Sequence, residues 1–307
     1  MRRDFTVMKM KFWAVILPIT IGLFSCQSDK KDTQFVTFSG QIKNADLDSV
    51  YIILNEREKG FALDFDGNFS DTIQLNHEGY KALSIDREEF PLYLIPGDSL
   101  YVSADINKFE ESFYYQGIGA ERNNFLFEKE ELVNGWLANE TLFRLEPHRY
   151  IENINNFSGE LKKILKSSGL EKSFEKTEQR NIYFDEFNLL YAYRDSYAYF
   201  NPTKPQLPID FLEFNRFDLD NEADFNQFKS YRNIVTYYLD EQVNSGVSPS
   251  EILEKLKSER IQYTFIRGLI NSLDPSDESS VEVHEVIKKY CKFKPWLDEA
   301  NLIMAKK

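Results

Sequence analysis

Few side chains in this sequence are of types that carry chemistry, and they are scattered. There are two cysteines, Cys26 and Cys291, and three histidines, His77, His148 and His284. The cysteines make no CxxC pair, so no local dithiol centre forms. No two histidines are near each other, and no HExxH or other metal-ligand spacing occurs. Fifty acidic residues ensure that carboxylates meet somewhere, but the sequence singles out no pair for hydrolysis. Asp64, Asp66 and Asn68 alternate around Gly67 as in part of a calcium loop. The glycine is fourth rather than sixth and position 75 is Leu, so a hairpin turn is the better reading. Aromatic residues, 15% of the chain with 26 Phe and 17 Tyr, can bind sugar or peptide or fill a core. Most lie at helical spacing and read as core. Tyr191, Tyr193, Arg194, Tyr197 and Tyr199 occupy more than one face of a helix, and they are the interaction patch the sequence offers.

Cys26 has the clearest context. Arg2, Arg3, Lys9 and Lys11 form a basic segment, followed by an apolar run from Phe12 to Phe24. That run is too short to span a bilayer, which takes roughly 20 residues, and reads as the core of a signal peptide. Either Met1 or Met8 serves as its start. Leu23-Phe24-Ser25-Cys26 resembles the lipobox of bacterial lipoproteins, with Phe24 bulkier than usual. The resemblance implies cleavage before Cys26 and acylation of that cysteine. Each buried CH₂ of the chains would contribute roughly 0.8 kcal/mol of membrane binding. Residues 1–25 are thus the leader and 26–34 a polar tether. The expected partner is a lipid bilayer, and the expected place is the outer membrane, facing the periplasm.

The chain has 307 residues, 42% of them hydrophobic, enough for a packed core. Its net charge is −13; the leader carries four bases and one acid, leaving the rest at about −16. Such a body repels nucleic acid and anionic headgroups, so nucleic-acid binding is excluded. Phosphate-binding glycine loops are absent, and no cofactor is expected.

Two periods divide the chain beyond the tether. Residues 35–116 alternate in short β-branched and aromatic runs, such as Ser49-Val50-Tyr51-Ile52-Ile53-Leu54. Asp66-Gly67-Asn68 and Pro96-Gly97-Asp98 supply turn chemistry between them. Seven or so strands at this spacing predict a small antiparallel β-sandwich. Residues 117–307 follow the helical period. Long helices are expected over about 174–200, 221–244, 249–272 and 279–304, the third opened by a capping box at Ser248-Pro249-Ser250-Glu251. No heptad persists, so they form a bundle rather than a coiled coil. The fold class is therefore α+β: a sandwich followed by an all-α bundle. Asp48-Ser49-Val50, Asp71-Thr72-Ile73 and Asp98-Ser99-Leu100 resemble a loose O-glycosylation tripeptide of some envelope proteins.

Several segments together resemble the N-terminal part of thioredoxin-like thiol:disulfide interchange lipoproteins. They are Phe38-Ser39-Gly40-Gln41-Ile42, Asp66-Gly67-Asn68-Phe69, Ile95-Pro96-Gly97-Asp98-Ser99-Leu100 and Gly117-Ile118-Gly119-Ala120-Glu121-Arg122-Asn123. Phe217-Asp218-Leu219-Asp220-Asn221, with Tyr231 and Tyr238-Leu239, is similar to that family's middle helical segment. The family closes with a thioredoxin domain bearing Trp-Cys-x-x-Cys. Trp296 follows Cys291 by five residues and does not reproduce that motif, so no redox role carries over. The resemblance implies a non-catalytic envelope lipoprotein that binds a protein or peptide partner. A glycan- or peptidoglycan-binding surface protein is the alternative.

Overall fold

The computed structural model describes residues 34–54, 57–86, 88–202, 206–208 and 211–306. Cys26, the leader and all of the tether but Gln34 lie outside them. The fold is α+β, with two four-stranded sheets followed by helices.

The strands are β1 (Phe35–Lys43), β2 (Ser49–Leu54), β3 (Arg57–Ala62), β4 (Asn68–Gln74), β5 (Gly79–Ile85), β6 (Glu88–Leu94), β7 (Ser99–Asp105) and β8 (Tyr114–Ile118). One sheet has the order β4-β1-β7-β8 and the other β3-β2-β5-β6. Alternation sets the faces: Val36, Phe38 and Ile42 of β1 are buried while Phe35, Thr37 and Lys43 are exposed. Val50, Ile52, Leu83, Leu92, Leu100 and Val102 meet them in the core between the sheets. The β1–β7 pair is parallel and the other pairs are antiparallel, so the first sheet is mixed.

The Asp66-Gly67 turn does not close a hairpin. β3 pairs with β2 and β4 with β1, so the turn carries the chain from one sheet to the other. Asp64 organises the corner by accepting from the backbone N–H of Asp66 at 2.9 Å and of Asn68 at 2.8 Å. Gly67 has φ 76°, and its carbonyl accepts from Ile42 N–H at 2.9 Å. A Cβ there would lie 2.1 Å from the Ile42 carbonyl oxygen, so the corner is built on that glycine.

The sheet region ends two residues beyond its expected boundary, with β8, which follows the short α1 (Phe109–Ser112). The helices are then α2 (Ala120–Leu137), α3 (Pro147–Ser167), α4 (Lys172–Phe200), α5 (Glu222–Gln227), α6 (Lys229–Asn244), α7 (Pro249–Lys255), α8 (Glu259–Asn271), α9 (Ser279–Tyr290) and α10 (Lys294–Met304). Three of the expected long helices are pairs. Phe228 is extended (φ −110°, ψ 120°) between α5 and α6, and Ser258 caps α8 after a break at 256–258. Cys291 is extended at the end of α9, just before Pro295 in the first turn of α10. Ser248 caps α7 by accepting from Glu251 N–H at 3.2 Å, while the Glu251 carboxylate turns to Lys255 instead of completing the box. Among the described residues no helix is long and apolar enough to cross a membrane.

Candidate functional site

The sandwich and the helices are joined through α2, whose buried side carries polar residues beside Ala120, Phe125 and Leu126. Arg122, Asn123 and Lys129 are all buried. The helix starts at Gly119 (φ 95°), where a Cβ would lie 2.5 Å from the Arg122 guanidinium and 3.0 Å from the Asp98 carboxyl. The glycine lets these two close into a buried ion pair directly beneath the helix start. Arg122 also donates to Glu171 at 2.8 Å and to the Tyr93 carbonyl at 3.3 Å. Asp98 accepts from Ile95 N–H at 2.7 Å; burial pushes its carboxyl above the usual range, against the opposing bond from Arg122.

The next two residues of α2 each hold a strand. Asn123 accepts from Tyr93 N–H at 2.7 Å and donates back to the Tyr93 carbonyl at 3.0 Å. Asn124 does the same to Tyr115, at 2.7 and 3.0 Å. The Gly117–Asn123 segment singled out in the sequence is thus the joint between the two regions.

Two turns along α2, Lys129 donates to Glu178 at 2.6 Å and to Asp185 at 2.9 Å, both on α4. Tyr80 of β5 donates to Glu178, and Ser230 of α6 donates to Asp185. One buried network therefore gathers the sheet and three helices. Burial and then the Glu178 charge hold the Tyr80 hydroxyl well above its ordinary pKa. Burial works against the charge on Lys129, but the Asp185 and Glu178 carboxylates outweigh it and raise its pKa.

Beside this network lies a cleft of about 600 Å³. Its floor is the outer face of the second sheet at Ile53, Tyr80, Ala82 and Pro91. Leu126, Val133 and Leu137 of α2 line one side, and Leu189 and Ala192 of α4 another. The cations Lys81, Lys229 and Arg232 border it, as do the acids Glu89, Glu130 and Asp185. Burial, reinforced by repulsion from Arg232, lowers the Lys81 pKa. One residue of the cleft wall carries an unpaired polar atom, sealed behind it. Asn188 donates to the carbonyls of Phe184 at 3.2 Å and Ser230 at 3.0 Å, which fixes its orientation. Its Oδ1 is then buried with no hydrogen-bond partner. No protein-family model, curated protein or solved structure matches the chain.

The aromatic patch expected on α4 is not gathered on one surface. Tyr193 is wholly buried against Tyr150 at 4.2 Å and donates to the Leu145 carbonyl at 2.6 Å. Tyr197 is buried beside it at 5.2 Å. Tyr191 points the other way and stacks on Tyr237 of α6 at 3.7 Å and 7°. Arg194 lies over the Tyr191 ring at 4.0 Å and pairs with Glu241 at 2.7 Å. Only Tyr199 of this group is freely exposed, at 86%. These aromatics do occupy several helix faces, but α3 covers one face and α6 another. Removing the Tyr193 hydroxyl alone, by Tyr193→Phe, is expected to cost about 1 kcal/mol in urea unfolding. A neutral result would mean that the bond to Leu145 contributes nothing.

Cys291 is buried against the helical core, with its thiol 3.5 Å from the Phe293 carbonyl. Among the described residues no cluster of three or more His, Cys, Asp or Glu side chains is placed to hold a metal ion. Arg122 lay in the Gly117–Asn123 segment without an assigned role, while Lys129, Glu178, Asp185 and Asn188 escaped the sequence reading because nothing in their local pattern marks them as buried or half-buried.

Proposed function

We propose that this chain is a non-enzymatic envelope lipoprotein, anchored through lipid on Cys26, whose cleft receives a segment of a partner polypeptide. The observation that carries the reading is the cleft itself, an apolar floor and walls bordered by charges of both signs. An extended peptide lays alternate side chains on that floor and those walls, and its charged groups meet the Lys229, Arg232, Glu89 and Glu130 border. Lys129 and Ser230 both donate to Asp185 and so tie α2, α4 and α6 together at the cleft wall. The lipobox-like leader and the resemblance to the non-catalytic part of thiol:disulfide interchange lipoproteins support attachment and an accessory role.

Phage-displayed random peptides panned on the full-length chain in mild detergent test this. Enriched peptides are expected to bind at least tenfold more weakly to Ala82→Trp, which fills the cleft floor. No enrichment, or binding indifferent to the substitution, would overturn the reading, as would turnover of insulin disulfides by the purified chain.

A further inference from the structure

The outer face of the first sheet is a second surface, well away in the fold from the cleft on the other sheet. Register defines its rows. Thr72, Thr37, Ser99 and Ile118 lie side by side across the four strands. Ser70, Ser39, Tyr101 and Gln116 form the next row. Asn68, Gln41, Ser103 and Tyr114 form the third, and Gln74 and Phe35 extend the face beyond the first. None of these fourteen positions is charged. At 28% charged residues, fourteen positions would carry about four charges, and exposed strand positions more. Charges resume at the border, where Lys43 stands opposite Asp105 in the following row.

The face is not an apolar patch awaiting a lid, because ten of its side chains end in a hydroxyl or amide other than the two tyrosines. Among the described residues the side chains of Thr37, Ser70, Thr72, Ser99 and Gln116 make no hydrogen bond, which leaves them available. Tyr101 and Tyr114 are exposed at 36% and 42%. They are diagonal neighbours on adjacent strands, with backbones about 7–8 Å apart, so one ligand can lie across both rings. Three rows at about 6.8 Å spacing and four strands at about 4.8 Å give a platform some 14 Å on each side.

Neutral donors and acceptors in a regular array, with two rings whose faces are apolar, match the surface of an uncharged sugar chain: hydroxyls around the edge and C–H groups on the ring faces. A charged polymer would find no counter-charge here, and a nucleic acid is repelled by the body's net charge. We propose that this sheet face binds an uncharged polysaccharide, with Tyr101 and Tyr114 stacking on its rings and the flanking hydroxyls and amides bonding to its edges.

Affinity electrophoresis of the full-length chain in detergent gels tests it, with laminarin, mannan, xyloglucan and dextran as neutral probes and alginate as the charged control. Retardation is expected with at least one neutral polysaccharide and not with alginate. Tyr101→Ala/Tyr114→Ala is expected to weaken it at least tenfold, and Tyr101→Phe/Tyr114→Phe to retain most of it. Unchanged circular dichroism would show that the alanine variant folds. Cleft-filling Ala82→Trp is expected to leave it unchanged, which separates this proposal from the peptide reading. Absence of retardation on every neutral polymer would overturn the proposal. So would a dimer in sedimentation that Thr37→Lys dissociates, because a second copy would then cover the face. A glycan found covalently attached to Thr72 or Ser99 in chain from its native membrane would overturn it too.

Discussion

Lys129→Met is expected to lower the unfolding free energy by about 3–5 kcal/mol at pH 7, read from urea titration. The substitution keeps the aliphatic stem but leaves Glu178, wholly buried, and Asp185 without their cation. A loss under 1 kcal/mol would mean that the network is hydrated and carries little. Adding Glu178→Gln to Lys129→Met is expected to recover part of the loss, because an uncompensated buried charge costs more than a neutral amide. The same network sets an alkaline limit. Tyr80 and Lys129 both keep their protons in the folded chain to a higher pH than when unfolded. Above about pH 10 the unfolded state therefore binds fewer protons than the native one, and stability falls as pH rises. Tyr80→Phe is expected to flatten part of that fall. Other buried tyrosines, including Tyr93 with its pKa pushed up to about 12 by burial and then by Glu78, share the remainder.

Arg122→Met is expected to cost a similar 3–5 kcal/mol and, unlike Lys129→Met, to separate the unfolding of the two regions. Arg122 pairs with Asp98 on the turn between the sheets and with Glu171 at the start of α4, and it bonds to the β6 backbone. Without it the Asp98 carboxylate is buried beside an empty site, and the tie between sandwich and helices loosens. Calorimetry is expected to show a broadened or split transition, and hydrogen exchange to show faster opening at Ile95, whose N–H Asp98 accepts. A single sharp transition at the parent temperature would show that Asn123 and Asn124 suffice as the joint.

The division into a strand region and a helical region was legible because each period is written in apolar residues: Val36, Phe38 and Ile42 at spacing two, and Ile154, Leu161 and Leu165 at helical spacing on α3. Sheet membership was not. The chemistry of Asp64-Phe65-Asp66-Gly67 is the same whether the flanking strands pair or part, and only the distant contact of Gly67 with Ile42 decides it. The helix breaks at Phe228 and Cys291 were hidden because apolar residues continue at helical spacing across them, though Ser258 and Pro295 were signals at two of the three breaks. The cleft was the least legible part. The buried side of α2 mixes Arg122, Asn123 and Lys129 with Phe125 and Leu126, so it offers no apolar stripe to read. The acceptor on Asn188 becomes exceptional only once α6 places Ser230 beside it.

The paired asparagines of α2 bear on how the sandwich avoids growing. β6 is the last strand of one sheet and β8 the last strand of the other. A carboxamide offers one C=O and one N–H, as a peptide group does, so Asn123 and Asn124 each occupy the place that a foreign strand would take on those two edges. The opposite edges, β3 and β4, are instead guarded by the Lys59–Asp71 ion pair across them. A chain that loses both asparagines would leave the N–H and C=O of Tyr93 and of Tyr115 without their carboxamide partners, one opening on each of these edges for strand addition.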